Sequence, residues 1–481
     1  MSNNLSRRKV VKAGAVAALG ALPFGRSLAK QKYDAIIVGA GLSGLYSAMI
    51  LEEMGLNVLT LEGRDRVGGR VYTLMGVPGK PEAAGELIGA NYARMIRTAN
   101  DLGLELFKPD MRLGAGERFY YIKGQRILAS EWEGHELNPL SGDDRAILPE
   151  QMLSVLSNRN NPLSGRGLDE WIKPEFHKYD IPHDEYLRTH LGLNEETIRL
   201  MNVTIHTDHI SNTSALHELR RYAVGEFNQQ MASIQKDVPA YQQVKGGNSL
   251  LTKAMAESLE NGVLLNKTVY GFDDTGSSVT VHCSDGTSYT ANQVISTMPI
   301  SLLKNVKFNP RPPEHMQTAF LCIDYGLSIQ VHYLVTRDFW EEDGLPKNIW
   351  SDAPIERFAV IQRPGSPATA IAFINGIESM KYNFMSDEDV IRHVALELEK
   401  VRPSTKGALK ALAVQSCHRD LHGAGDWVFW RPGQIKKYGS KLHERHGNIH
   451  FAGEHTAVME RGMEAAFESG ERAALELVSR A

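Results

Sequence analysis

The sequence predicts an α/β fold, and three stretches predict it. A β-branched apolar run feeds a glycine-rich turn near the N-terminus. Alternating strand patterns fill the middle of the chain. A buried-looking strand followed by a small-residue helix lies near the C-terminus. The first stretch is Ala35-Ile-Ile-Val-Gly39-Ala-Gly41-Leu-Ser-Gly44-Leu45, after which Leu45, Ala48, Met49 and Leu51 recur at helical spacing. This is strand, tight turn, helix. Gly39 permits the turn, Gly41 lets a pyrophosphate approach the backbone, and Gly44 lets the helix pack on the strand. The helix N-terminus offers free N–H groups and partial positive charge to phosphates. A second strand, Asn57 to Leu61, ends at Glu62, where an acid is expected to accept ribose hydroxyls. Strand, glycines, helix, strand and acid in register predict a nucleotide site.

Which nucleotide is decided downstream. Glu62-Gly63-Arg64-Asp-Arg-Val-Gly-Gly69-Arg70 sets paired glycines and arginines after the ribose acid. The C-terminal stretch His450-Phe-Ala-Gly453-Glu454-His-Thr456 precedes Gly462-Met463-Glu464, which opens a helix. Together these motifs resemble FAD enzymes of the flavin monoamine oxidase and L-amino-acid oxidase superfamily, and the likeness covers both ends of the chain and, more faintly, the middle. The resemblance implies that Gly69 and Arg70 lie against the flavin's phosphates and ribityl chain, and that Gly453 and Glu454 contact the ribityl and pyrophosphate region. It also implies that the helix from Met463 aims at the flavin O2/N1 locus, and that the Val269 backbone meets the adenine. A helix N-terminus stabilises the negative charge of a reduced flavin. The implied fold is a Rossmann-like FAD-binding domain interleaved with a mixed-sheet and helical substrate domain.

The bulk properties narrow the class. A net charge of −4 over 481 residues argues against nucleic acid as a partner. Cys283, Cys322 and Cys417 are widely spaced, so neither a disulfide framework nor a zinc site is suggested, and no metal site is predicted. Arg7-Arg8, the apolar run from Ala13 to Phe24 and Ala29 read as a twin-arginine export signal over residues 1–29. The apolar run is too short for a stable membrane span. A periplasmic or secreted bacterial protein follows, and a homodimer is left open.

Along the chain, residues 30–95, 244–302 and 431–481 are assigned to the FAD-binding domain, and residues 96–243 and 303–430 to the substrate domain. Helices are expected at Ala93–Gly103, Asn194–Met201 and Thr213–Val224. Strands are expected at Gly262–Tyr270, Val279–Cys283, Ser288–Met298, Ile323–Val335, Phe358–Gln362 and Thr369–Asn375.

The resemblance implies oxidation of the C–N bond of an amine to an imine, with oxygen or an envelope electron carrier taking the electrons. An amine gives up a hydride only when uncharged, so the pocket must disfavour ammonium by desolvation. Trp427, in Gly425-Asp-Trp427-Val-Phe-Trp430, matches one wall of the family's aromatic pair, and its ring faces a neutral or partly charged amine. No cysteine lies in this run, so FAD is expected to bind noncovalently. Two positions depart from the family. The second aromatic wall falls on Gly462, which leaves that side open, and the usual N5 lysine falls on Gln330, which can hold a water without supplying charge. The arginine that holds substrate carboxylate in L-amino-acid oxidases falls near Leu87. This tilts the reading toward amines, although Arg220, Arg221, Arg431 or Arg461 can serve instead. His206, His209, His217 and His332 form no recognised ligand set and read as surface or hydrogen-bonded histidines. The alternatives are an L-amino-acid oxidase and, in another class, an FAD-binding protein with a desaturase-like or non-catalytic role.

Overall fold

The structure, a computed structural model, describes residues 32–109, 116–235, 238–362 and 365–479. The expected export signal lies outside the described residues. The first strand, Lys32–Val38, is apolar and buried from Ala35 to Val38, as a strand covered on both faces must be. It pairs in parallel with Val58–Leu61 on one side and with Ser288–Ser296 on the other. Val263–Leu264 adds a parallel edge beyond Val58–Leu61. Ile449–Phe451 pairs in parallel with Val294–Ser296, so the C-terminal stretch completes the sheet that the first strand begins. The long strand Ser288–Ser296 also pairs antiparallel with Val279–Cys283, which returns through Val269–Asp274.

Two helices cover one face of this sheet. Leu42–Glu53 buries Leu45, Ala48 and Leu51. It packs on Gly462–Val478, whose Gly470 lies so close that an added Cβ would sit 2.5 Å from the Ser43 carbonyl oxygen. Ser47 Oγ bridges the pair, donating within reach of the Ser43 and Gly470 carbonyls at 2.8 and 3.0 Å. Phe467 meets Tyr46 with ring centroids 4.7 Å apart.

A second, mixed sheet runs in the order Leu409–Gln415, Ser328–Val335, Thr369–Asn375, Arg357–Ile361, Asn348–Ser351, Arg118–Ile122 and Gln125–Leu128. Its pairs are antiparallel except for Asn348–Ser351 against Arg118–Ile122. Helices Pro149–Ser157, His183–Leu191, Glu195–Asn202 and Ala215–Ile234 gather around a core that includes Trp132, Trp171 and Leu216. The fold is α/β, with two large sheets, three small ones and a helical layer among the described residues, the class the sequence predicts.

Three expected elements differ. Gly262–Tyr270 is not one strand but two short ones, because Asn266 takes a left-handed φ of 58° between them. Asn266 and Lys267 there donate backbone N–H groups to the Arg64 and Glu62 carbonyls, at 2.8 and 2.7 Å. Ile323–Val335 breaks at Gly326, whose Cα lies against the His206 carbonyl, where an added Cβ would come within 2.6 Å. The helix expected at Thr213–Val224 continues to Ile234, because its buried stripe runs on to Asn228.

Candidate active site

A single cavity of about 630 Å³ opens at the C-terminal ends of the parallel strands, where open α/β sheets bind ligands. It brings together residues more than four hundred positions apart in the chain. The three glycines after the first strand divide the geometry. Gly39 holds φ at 107°. Gly44 must lack a side chain, because a Cβ would fall 1.9 Å from the Gly39 carbonyl oxygen. Gly41 has an ordinary φ of −80°, and the nearest atom to its added Cβ is the Gly69 Cα at 4.0 Å. Gly41 and Gly69 thus form two facing bare backbones on the cavity wall, a cradle into which a phosphate chain fits. Gly44 does not line the cavity; it lies beneath the turn.

Glu62 stands at the end of the second strand, 4% exposed. Its two carboxylate oxygens accept the Ala40 and Arg64 backbone N–H groups at 2.8 and 2.9 Å. That fixes the carboxylate on the cavity wall and leaves lone pairs for a hydroxyl. Gly63 lies under the His422 ring, 2.6 Å from where its Cβ would be. The Arg64 guanidinium is held by Asp420 at 2.8 Å. Arg70 reaches the Asp426 carbonyl oxygen at 2.5 Å and the Glu454 carboxylate at 3.4 Å. Glu454 also accepts the Val428 N–H at 3.2 Å, and burial raises its carboxyl above the usual range while Arg70 opposes that. Val269, Gly453 and Met463 complete this end of the cavity. The helix starting at Gly462 presents its N-terminus to the same space. Backbone donors, a fixed acid and two arginines suit the phosphates and sugar of a dinucleotide.

The other end is walled by rings. The His206 ring lies 5.7 Å from Trp427 and 6.1 Å from Phe373, and all three line the cavity. Burial, with the nearby Arg357 and Arg221 charges, holds His206 well below its ordinary pKa, so it is neutral at pH 7. Gln330 also lines the cavity, but its amide is engaged at both ends. It donates to the Ala83 carbonyl at 3.1 Å, and its oxygen lies 3.1 Å from His332 Nε2. The side expected to be open at Gly462 is not open. Gly462 has a φ of 63°, and a Cβ there would lie 2.9 Å from the Tyr92 hydroxyl, so a tyrosine from another element occupies that place. Leu87 contributes only apolar surface. Arg221 is paired with Glu218, at 2.6 Å, and Arg220 is spent on the Val458 and Glu460 carbonyls at 3.0 and 2.8 Å.

Against known proteins, the family model for flavin containing amine oxidoreductases matches residues 42–478. The chain belongs to that family. It is therefore an enzyme of the FAD-dependent amine oxidase type. Flavin-containing amine oxidase B of Sus scrofa is 26% identical over 468 residues, covering 93% of this chain and 86% of that protein. The flavin-containing amine oxidase of Oncorhynchus mykiss is 27% identical over 467 residues, covering 94% and 86%. Among solved structures, putrescine oxidase bound to putrescine aligns with a TM-score of 0.76 at 22% identity, over 94% of this chain and 100% of that one. Cyclohexylamine oxidase from Brevibacterium oxydans aligns with a TM-score of 0.74 at 22% identity, over 94% and 99%.

Within this amine oxidase chain, thirteen of the fourteen sequence-predicted site residues line one cavity, Gly44 being the exception. His217 and His332, expected as surface or hydrogen-bonded histidines, are hydrogen-bonded but buried, at 1% and 2% exposure. No cluster among the described residues has the makings of a metal site. Sequence reading missed Tyr92, Phe373 and Arg357 as cavity residues and did not place His206 there. No local motif marks them. Cross-strand register sets Phe373 between Gln330 and Arg357, and register between distant strands has no short-range sequence signal.

Proposed function

We propose that this chain binds FAD noncovalently and oxidises the CH–NH bond of an amine to an imine, passing electrons to oxygen or another acceptor. The observation that carries the reading is the continuity of one cavity. Dinucleotide-type backbone and acid groups line one end, and a cluster of Trp427, His206 and Phe373 lines the other. When bound, the flavin supplies the two-electron acceptor for the hydrogen leaving the carbon that bears nitrogen. The protein's own share is positioning and desolvation. Rings and the aliphatic Ile371 and Leu87 exclude water, which lowers an amine's pKa and keeps its nitrogen uncharged. The Trp427 face orients that nitrogen. Gln330, tethered to Ala83 and His332, presents a fixed neutral amide at the position that the resemblance matches to a lysine.

The noncovalent assignment rests on the cavity lining, which contains no cysteine among the described residues. Acid precipitation is expected to leave the flavin in the supernatant. Export by the twin-arginine route, proposed from residues 1–29, suits a protein that folds around its cofactor before translocation. No helix among the described residues is long and apolar enough to cross a membrane.

The test is anaerobic mixing of the purified yellow protein with panels of amines and L-amino acids, following absorbance near the flavin maximum. Bleaching by amines supports the reading. Bleaching by α-amino acids alone moves it to an L-amino-acid oxidase, and no bleaching by any compound overturns oxidation of C–N bonds.

A further inference from the structure

Arg357, at the substrate end, leaves two buried donors unused, whereas Arg220 leaves only its Nε and Arg461 meets His217 at 3.4 Å. Arg357 lines the cavity, and its Nε and Nη2 are buried with no hydrogen-bond partner among the described residues. Its guanidinium lies over the Phe373 ring, 4.7 Å from the centroid. Fully buried Arg402 shows what this fold does with a structural arginine. It donates to both Asp343 oxygens at 2.9 and 2.7 Å and to the Pro346 and Leu345 carbonyls at 2.6 and 3.0 Å. A buried guanidinium that leaves donors unused costs free energy, and a ligand that takes those donors recovers it. Beside Arg357, the His206 ring lines the same cavity, and its buried Nδ1 makes no hydrogen bond of ordinary geometry, with the Asn375 side chain as its polar neighbour. Both groups lean on Phe373, which ties them to one spot on the wall.

The sheet register supplies the spacing. Gln330, Phe373 and Arg357 are consecutive cross-strand partners. Strands lie about 4.8 Å apart, so the Gln330 and Arg357 backbones are about 10 Å apart. The planar fork of Arg357 matches a carboxylate, and a neutral imidazole adds one N–H donor. The carboxylates that line the cavity do not reach this fork. Glu62 is fixed by backbone N–H groups, Glu454 pairs with Arg70, Glu82 accepts from Thr73 and Asn248, Asp426 is hydrogen-bonded with Ser328 and Cys417, and Glu86 has a partner of its own.

We propose that Arg357, with His206 beside it, anchors a carboxylate on the substrate, so that the substrate is an amine carrying its acid group several bonds from the reacting nitrogen. The spacing rests on the amine-oxidation reading, which puts the reacting carbon at the Gln330 and Trp427 end. The anchor itself does not.

The test uses the full-length FAD-loaded protein. Anaerobic stopped-flow compares pentylamine with 5-aminopentanoate and hexylamine with 6-aminohexanoate, and pentanoate is titrated while the spectrum of the bound oxidised flavin is followed. The aminocarboxylates are expected to reduce the flavin at least about tenfold more efficiently than the alkylamines. Arg357→Met is expected to erase that preference and weaken pentanoate binding about 10- to 100-fold, with Arg357→Lys restoring part of it. Equal reduction by the acid and its alkylamine, or unchanged pentanoate binding in Arg357→Met, overturns the anchor while leaving amine oxidation standing. Arg357-dependent pentanoate binding without bleaching by any amine keeps the anchor and overturns the amine-oxidation reading. Should Arg357→Met fail to fold, the wild-type comparison and a His206→Phe variant, expected to weaken pentanoate severalfold, decide the matter.

Discussion

The two ends of the cavity are built by different means. The nucleotide end is made of backbone: glycines that must be bare, N–H groups at helix starts, and a carboxylate pinned by its neighbours. The substrate end is made of side chains that meet only through pairing of distant strands, as Gln330, Phe373 and Arg357 do. A backbone site tolerates almost no substitution where the chain touches itself. A side-chain site changes what it binds when one of its side chains is replaced. The difference teaches where stability ends and specificity begins.

Gly44→Ala is the sharpest way to break the first half of that contrast. Its Cβ meets a carbonyl oxygen at 1.9 Å, and neither backbone can yield cheaply. A loss of about 3 kcal/mol is expected, read as a large fall in denaturation midpoint of the apoprotein. Gly41→Ala sharpens the same half. With no protein atom nearer than 4.0 Å, apoprotein stability should hold while FAD binding weakens about tenfold, or about 1.4 kcal/mol, by flavin-fluorescence titration. If Gly41→Ala instead unfolds the apoprotein, the backbone cradle is structural.

Trp427→Ala addresses the second half. Flavin content and melting behaviour should stay close to wild type, while anaerobic flavin reduction slows about tenfold. Gly462→Ala tests the seam where Tyr92 stands in for a ring. A left-handed φ and a 2.9 Å contact predict a loss of about 1 kcal/mol, part of which Tyr92→Phe should recover. The smallest effect is a slope. Burial beside Glu464 and Glu468 raises the Glu460 carboxyl to about 7, so the folded chain holds a proton that the unfolded chain releases near the ordinary carboxylate value. Stability therefore falls as pH rises from about 4.5 to 7. Glu460→Gln, which can still accept from Asn91, should flatten that fall in urea titrations across the window.

The same contrast explains what could be read from the chain. Gly39, Gly41, Gly44 and Glu62 lie within one strand–turn–helix–strand unit, so local spacing alone places them. The C-terminal strand and helix carry their own motif. That motif includes Gly462 but not Tyr92, whose hydroxyl lies 2.9 Å from where a Gly462 Cβ would be. Tyr92 arrives from the start of the helix Ala93–Asp101, hundreds of residues away, and nothing in Gly89-Ala-Asn-Tyr92 marks it. Arg357 lies just before the strand expected at Phe358–Gln362, in a short apolar run that says nothing of its partners. Only the register against Phe373 turns it toward the cavity.

The packing of Gly470 on Ser43, and of Ile449–Phe451 along Val294–Ser296, also has a meaning in time. A ribosome adds about 5–20 residues per second, so the turn at Gly39 waits tens of seconds for the helix that flanks it. Throughout that interval the nascent chain presents a glycine turn and strand edges without their closing partner, and they need shelter until residue 478 has left the exit tunnel. Cofactor capture thus waits until the helix Gly462–Val478 has been made, and a yellow protein is one in which that helix has already docked.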